Sequence, residues 1–156
     1  KSMKVEYINP FIEASRIVIN QILGTEPTVG KPYIKTTPYT SENVVTIIGV
    51  TGVIRGNVVV AFSRETVFAI ASTMMGGMPV QELDEMTKSA IAELCNMILG
   101  NTATILSKNN LSIDITPPTV LTGDNLEFSP TKGVVICIPL NLENGATIEI
   151  NINNTN

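Results

Sequence analysis

From Asp84 to Lys108 the sequence carries one unbroken helical pattern, ended by Asn109-Asn110, and the fold must give that helix something to lie on. At about 100° per residue, Ile91, Leu94, Cys95, Ile98, Thr102 and Ile105 gather on one side. Ser89, Glu93, Asn96, Gly100, Thr104 and Ser107 gather on the other. The first set is a core stripe. The second is polar or small along its whole length.

The surface that the stripe needs is supplied by β-branched runs on both sides of the helix. Val44 to Val50 and Asn57 to Phe62 flank Gly52 to Gly56 and predict a hairpin. Both runs are nearly all apolar, so at least one of these strands is expected to be covered on both faces. After the helix, Ser112 to Thr116 and Val120 to Thr122 read as strands around Pro117-Pro118. Gly133 to Leu140 and Ala146 to Ile152 flank Asn144-Gly145, the strongest short hairpin signal in the chain. Pro139 implies that its strand is bent or at an edge.

Two further helices are predicted. One runs from Asn9 to Leu23, with Asn9 as cap, Pro10 in the first helical position and Gly24 as the stop. Its core face takes Phe11, Ile12, Ser15, Ile19 and Ile22 or Leu23. The other runs from Arg64 to Met75, capped by Ser63 and closed by Gly76-Gly77. Between the first helix and the first hairpin lies a Pro-rich extended stretch, in which Tyr33 and Ile34 suggest an edge strand or a packed loop. The order helix, strands, two helices, strands gives an α+β class, helices packed on a mainly antiparallel β-sheet.

The 156 residues suit a single domain, taken as 3–156, with Lys1-Ser2 ahead of Met3 read as a cloning remnant. Hydrophobic residues make up 44%, which argues against a disordered chain. A net charge of −4, with the 10 Lys and Arg scattered, argues against nucleic-acid binding and against attraction to an anionic membrane. The contiguous apolar runs are too short to cross a bilayer, and no signal-peptide pattern opens the chain, so a cytoplasmic location is expected. Cys95 and Cys137 read as two buried thiols in a reducing compartment.

The sequence has no histidine. That removes Ser-His-Asp and Cys-His nucleophile systems and zincin-type sites. No Cys pair has metal-ligand spacing, and Walker A and GxGxxG patterns are absent. Any chemistry must run on carboxylates, amides, hydroxyls or lysines. The polar face of the long helix offers such groups. A purely solvated face would carry more Lys and Glu. Gly100 in a helix interior costs about 0.5–1 kcal/mol relative to Ala, a cost often offset by close approach of another backbone or a partner. Glu93 and Asn96, at i and i+3, have Cβ atoms roughly 5–6 Å apart and could engage one small target together. On spacing alone, ordinary surface is the stronger reading, since Glu and Asn three apart on an exposed helix face are common.

The stretch from Glu93 to Ser107, preceded by Ser89, resembles the active helix of the CheC, CheX and FliY phosphatases. Their signature is Asp or Ser, three residues, Glu, two residues, Asn; Ser89, Glu93 and Asn96 match it in order and spacing, and Gly100-Asn101 follows the same helix. Asn9 to Ala14, Gly30 to Tyr33, Ile47 to Gly52, Arg55 to Asn57 leading into Phe62-Ser63, and Pro118 to Val120 look CheX-like as well. The resemblance covers most of the chain and identifies a CheX-type member, with a CheC/CheX-like fold.

What the resemblance implies is specific. The substrate is a phosphorylated CheY-like receiver domain, which carries the acyl phosphate, a Mg²⁺ ion and a lysine. The phosphatase needs no metal or cofactor of its own. Asn96 holds an in-line water, Glu93 pairs with the receiver's lysine, Ser89 supports docking, and Gly100 lets the receiver's loops come close. CheC-type members carry two such helices; here the first helix offers Glu13 with Arg16 in place of Asn, and is read as an inactive counterpart. A faint echo between Ile22-Leu23-Gly24 and Ile98-Leu99-Gly100 agrees with that. A homodimer through the sheets is implied too. The alternative is a non-catalytic CheY-binding or flagellar-switch-like scaffold.

Overall fold

A computed structural model of the chain describes residues 3–143 and 145–156. The chain runs α1 (Val5–Leu23), β1 (Thr28–Val29), β2 (Tyr33–Ile34), β3 (Tyr39–Thr40), β4 (Val44–Gly52), β5 (Gly56–Phe62), α2 (Arg64–Met74), α3 (Glu85–Lys108), β6 (Ile113–Ile115), β7 (Thr119–Thr122), β8 (Glu127–Phe128), β9 (Val134–Asn141) and β10 (Thr147–Asn154). The main sheet is antiparallel throughout, in the order β1-β9-β10-β5-β4-β6. β2 adds to β9 and β7 to β4. The helices pack on this sheet, as the α+β expectation requires.

Side chains alternate across each strand, so register decides which residues meet the helices. Val60 faces Thr46 and Ile150, and Val58 faces Ile48 and Ile152. With Ile136, Ile138 and Leu140 of β9, these apolar residues join Ile91, Leu94, Cys95, Ile98, Leu99 and Leu106 of α3 in one core. The opposite face of the first hairpin is also closed. Val45, Val59 and Ala61 form a second cluster with Leu126 and Phe128 packed on it. The expected two-sided cover therefore holds for both β4 and β5.

That cover is a ribbon of β3 and β8, in which Tyr39 stacks on Phe128 with ring centroids 5.4 Å apart. Lys35 fastens the ribbon to the sheet. Its ammonium lies 2.6 Å from Glu149 Oε1 on β10 and 4.4 Å from the centre of the Tyr39 ring. Two-residue strands have no periodicity, so nothing in the pattern of residues announces this ribbon.

Three expectations need correction. α1 starts at Val5 with Lys4 as its cap, so Asn9 is not the cap and Pro10 lies inside the helix. Met3, Tyr7 and Ile8 explain the extra turn, because they pack against the core. Pro139 does not sit on a free edge, since β9 has partners on both sides. It lies opposite the interruption between β1 and β2, where its missing N–H removes no regular ladder bond, and its carbonyl accepts from Gly30 N at 2.8 Å. Third, α3 is long and apolar enough by length and composition to cross a membrane. Counting contiguous apolar runs misses this, because the small and hydroxyl residues of its outer face interrupt the runs yet add little polarity. The apolarity is that of a core helix, with Ile91, Leu94, Ile98 and Leu99 all fully buried.

The β9–β10 hairpin forms in the expected register, with Ile148 opposite Leu140. Asn144 of the expected turn, like Lys1-Ser2, lies outside the described residues; Gly145 takes a φ of 86°.

Candidate functional site

α3 is fixed at its start by Asp84, whose Oδ1 accepts from Thr87 N at 2.9 Å. That bond holds the Asp84 carboxyl below its ordinary value of 3.8. The helix then runs for 24 residues to Lys108, in step with the predicted span. Its buried stripe is Ile91, Leu94, Cys95, Ile98, Leu99, Thr102 and Leu106. Ile105, expected in the stripe, is only half-buried, because Leu99 and Leu106 pull the buried arc round by part of a turn.

The opposite face is a ridge. Ser89, Glu93, Asn96, Thr104 and Ser107 are exposed, and Gly100 is half-buried among them. Among the described residues, the Glu93 carboxylate and the Asn96 carboxamide have neither a hydrogen-bond partner nor an ion pair. Their neighbours behave differently. Asn101 Nδ2 donates to Met97 O at 2.8 Å, Thr102 Oγ1 to Ile98 O at 2.8 Å and Thr104 Oγ1 to Gly100 O at 3.1 Å. These groups are spent on the helix's own carbonyls, whereas the longest uncommitted polar side chains of the ridge are those at 93 and 96.

Gly100 sharpens this. A Cβ built there meets no atom within 4 Å. Beyond its own turn of helix, none of the described residues crowds that position, so the missing side chain leaves a clearance. A carboxylate and a carboxamide held one turn apart beside that clearance can do two things. The first can bind a cation, and the second can both donate to and accept from a single water.

α1 packs along α3 and places Glu13 and Arg16 at the surface. Arg16 Nε lies 3.6 Å from Glu26 Oε1, so the residue standing where Asn would be needed is tied back to its own loop. The echo noted above is one of sequence only. Gly24 ends α1 in the left-handed conformation, with φ 74°, whereas Gly100 lies inside a continuous helix.

The remaining reactive groups are quiet. Cys95 and Cys137 are free and buried; burial pushes the Cys95 thiol up to about 12 and raises Cys137 too. No group of three or more His, Cys, Asp or Glu that could hold a metal occurs among the described residues. The sequence reading passed over Met86, which is 65% exposed and stands on the same ridge, seven residues ahead of Glu93. Its heptad spacing from Glu93 is the signal that could have found it.

The chain is similar to known proteins over most of its length. The family model described as chemotaxis phosphatase CheX matches residues 44–141, which include the whole of α3. The chain is 39% identical over 140 residues, 90% of each protein, to the CheY-P phosphatase CheX of Thermotoga maritima. A CheC-like superfamily protein from Shewanella sp. PV-4 superposes with a TM-score of 0.86 at 27% identity, over 97% of this chain and 98% of its own. The CheX–CheY–BeF3–Mg²⁺ complex from Borrelia burgdorferi matches with a TM-score of 0.81 at 29% identity, over 96% and 98%.

Proposed function

Because this chain belongs to the CheX chemotaxis phosphatase family, we propose that residues 3–156 act as one phosphatase domain that removes the phosphoryl group from the aspartate of a CheY-like receiver. The observation that carries this is the pairing of Glu93 and Asn96, exposed, one turn apart and without a partner among the described residues.

Docking lays the ridge of α3 across the receiver's phosphorylation site. The Asn96 oxygen accepts from a water and its NH₂ lies beside the phosphoryl oxygens, so the water is held in line with the leaving carboxylate. The water oxygen bonds to phosphorus as the bond from phosphorus to the aspartate oxygen breaks, giving inorganic phosphate and free aspartate. Such a transfer needs positioning and charge stabilisation more than a strong base, so an amide suffices. Glu93 pairs with a receiver lysine and fixes the register of Asn96. Ser89, one turn earlier, contacts the receiver, and Gly100 leaves room for its loops. The Mg²⁺ belongs to the receiver, where it neutralises charge on the phosphoryl group when bound. No carboxylate of this chain is assigned to it.

Two further parts of the reading are a cytoplasmic location and a homodimer formed through a sheet edge. The exposed Tyr33 and Ile34 on β2 support the second part. The deciding experiment mixes catalytic amounts of the protein with phosphorylated receiver and follows phosphate release. Multiple turnovers, lost in Asn96→Ala, are expected. Stoichiometric protection of the phosphoryl group instead means that the domain is a scaffold.

A further inference from the structure

Beyond Ser89, towards the start of α3, the exposed ridge changes character. Met86 is 65% exposed and Met78, in the loop before α3, is 63% exposed. At about 100° per residue Met86, Ser89, Glu93, Asn96 and Gly100 share an arc of roughly 80°, and Met86 lies roughly 15 Å along the axis from Asn96. α2 ends at Met74, and Met78 lies in the loop that follows. Gly76 and Gly77 take φ values of 74° and 93°, and Gly77 N donates to Ser72 O at 2.8 Å. Met75, Met78, Pro79, Val80 and Met86 line a groove of about 390 Å³.

The rim of the groove is acidic. Glu82 and Asp84 line it, and the exposed Glu85 stands beside it, drawing Lys88 to within 3.4 Å. Met86, exposed on the same helix face as the free polar groups, and Met78, exposed at the same groove, are hard to explain as core, and unbranched thioether side chains suit a surface that must adapt to a partner. An apolar floor with a negative rim fits an apolar patch flanked by Lys or Arg. It is continuous with the ridge whose Glu93 is itself placed to meet a cation.

We propose that Met78 and Met86 form the docking patch for the phosphorylated receiver, seating an apolar surface of it flanked by basic residues and governing affinity rather than the chemical step. This rests on the phosphatase reading above, and names a second contact region for the same partner. Met86 and Met78 touch neither the phosphoryl group nor the water, so they act on KM while Asn96 acts on kcat.

The test compares wild type with the double variants M78S/M86S and M78L/M86L, and with N96A. Phosphate release is followed, together with titration against a BeF3-activated receiver. Thermal melts confirm that each variant folds, as exposed side chains predict. The serine pair should raise both KM and Kd about tenfold with kcat unchanged. The leucine pair should restore most of the affinity, and Glu82→Gln should weaken the salt dependence of KM. An unchanged Kd for the serine pair overturns the patch whether or not the protein turns over. Turnover absent from wild type, with Kd still raised by the serine pair, overturns the phosphatase reading and leaves the docking patch standing. A serine pair that converts a dimer to a monomer, with KM unchanged, assigns the methionines to a second copy and overturns the proposal.

Discussion

Lys35 and Glu149, 114 positions apart in the chain, meet with Nζ 2.6 Å from Oε1, and the lysine side chain keeps only 10% of its exposure. Lys35 directly follows β2, where its N–H donates to Val135 O, so the contact ties that edge to β10, and the same ammonium over the Tyr39 ring links both to the β3–β8 ribbon. The contact's value is greatest as a pair, because removing one partner leaves the other charge half-buried without compensation. Lys35→Ala should therefore lower stability by about 2 kcal/mol, read from urea midpoints, with Glu149 still screened in part by solvent. Lys35→Met with Glu149→Leu should recover most of that loss.

Asn96→Ala removes a positioned amide from an exposed helix surface. Turnover of a phosphorylated receiver should fall by about 10²–10³-fold. Unfolding free energy should move by no more than about 0.5 kcal/mol. Wild-type turnover in this variant rejects the role assigned to Asn96.

Glu93→Lys sets a cation against the receiver's lysine. Binding of a BeF3-activated receiver should weaken, most severely at low salt, because the repulsion is screened as ionic strength rises. Glu93→Gln should fall between this variant and wild type. Equal affinities for all three forms remove the lysine-pairing role.

Gly100 allows stability and function to be driven in opposite directions. Among the described residues, no atom outside its own turn of helix lies within 4 Å of a Cβ at that site, and the backbone there is helical. Gly100→Ala should therefore stabilise the protein by about 0.5–1 kcal/mol. Gly100→Phe, equally free of internal clashes at Cβ, should block receiver binding while the thermal midpoint holds. Full binding by the phenylalanine variant shows that the clearance is not used.

Asp84 links the helix start to pH. Its folded-state carboxyl lies below the ordinary value of 3.8, through the bond from Thr87 N. The unfolded chain therefore holds its proton more tightly, and the cap contributes stability fully above 3.8. The contribution declines below that value and is gone once pH drops under the folded pKa. Asp84→Ala should lower the thermal midpoint at neutral pH, and the gap to wild type should close on acidification through the range below pH 3.8. A gap that stays constant with pH means the carboxylate's charge does not matter to the cap.

The long helix, the second helix and the first hairpin were legible to within a residue or two, because in each the local signals agree. Asp84 and Ser63 are good caps that do cap, and the β-branched runs of β4 and β5 are bounded by glycines. Reading failed where a distant contact outweighed a local one. Asn9-Pro10 is a sound start signal, yet Met3 and Tyr7 reach the core and carry the helix back to Val5. Pro139 is tolerated only because of what stands opposite it. A Cβ at Gly30 would lie 2.7 Å from the Pro139 ring, so glycine and proline fit each other across strands that no local window spans. Ser89, Glu93 and Asn96 could be placed on one outward face from periodicity alone. That no other element of the described residues reaches over to pair with Glu93 or Asn96 is a property of the tertiary fold, which a helical window cannot report.

Glu93 and Asn96 project from a convex helix face. Such a surface cannot enclose a small molecule or exclude bulk solvent on its own account. Whatever it acts on must bring the concavity with it, and the reaction chamber exists only while two proteins are in contact. Small acyl phosphates such as acetyl phosphate should then be left untouched, and the lifetime of the encounter should set the ceiling on the rate.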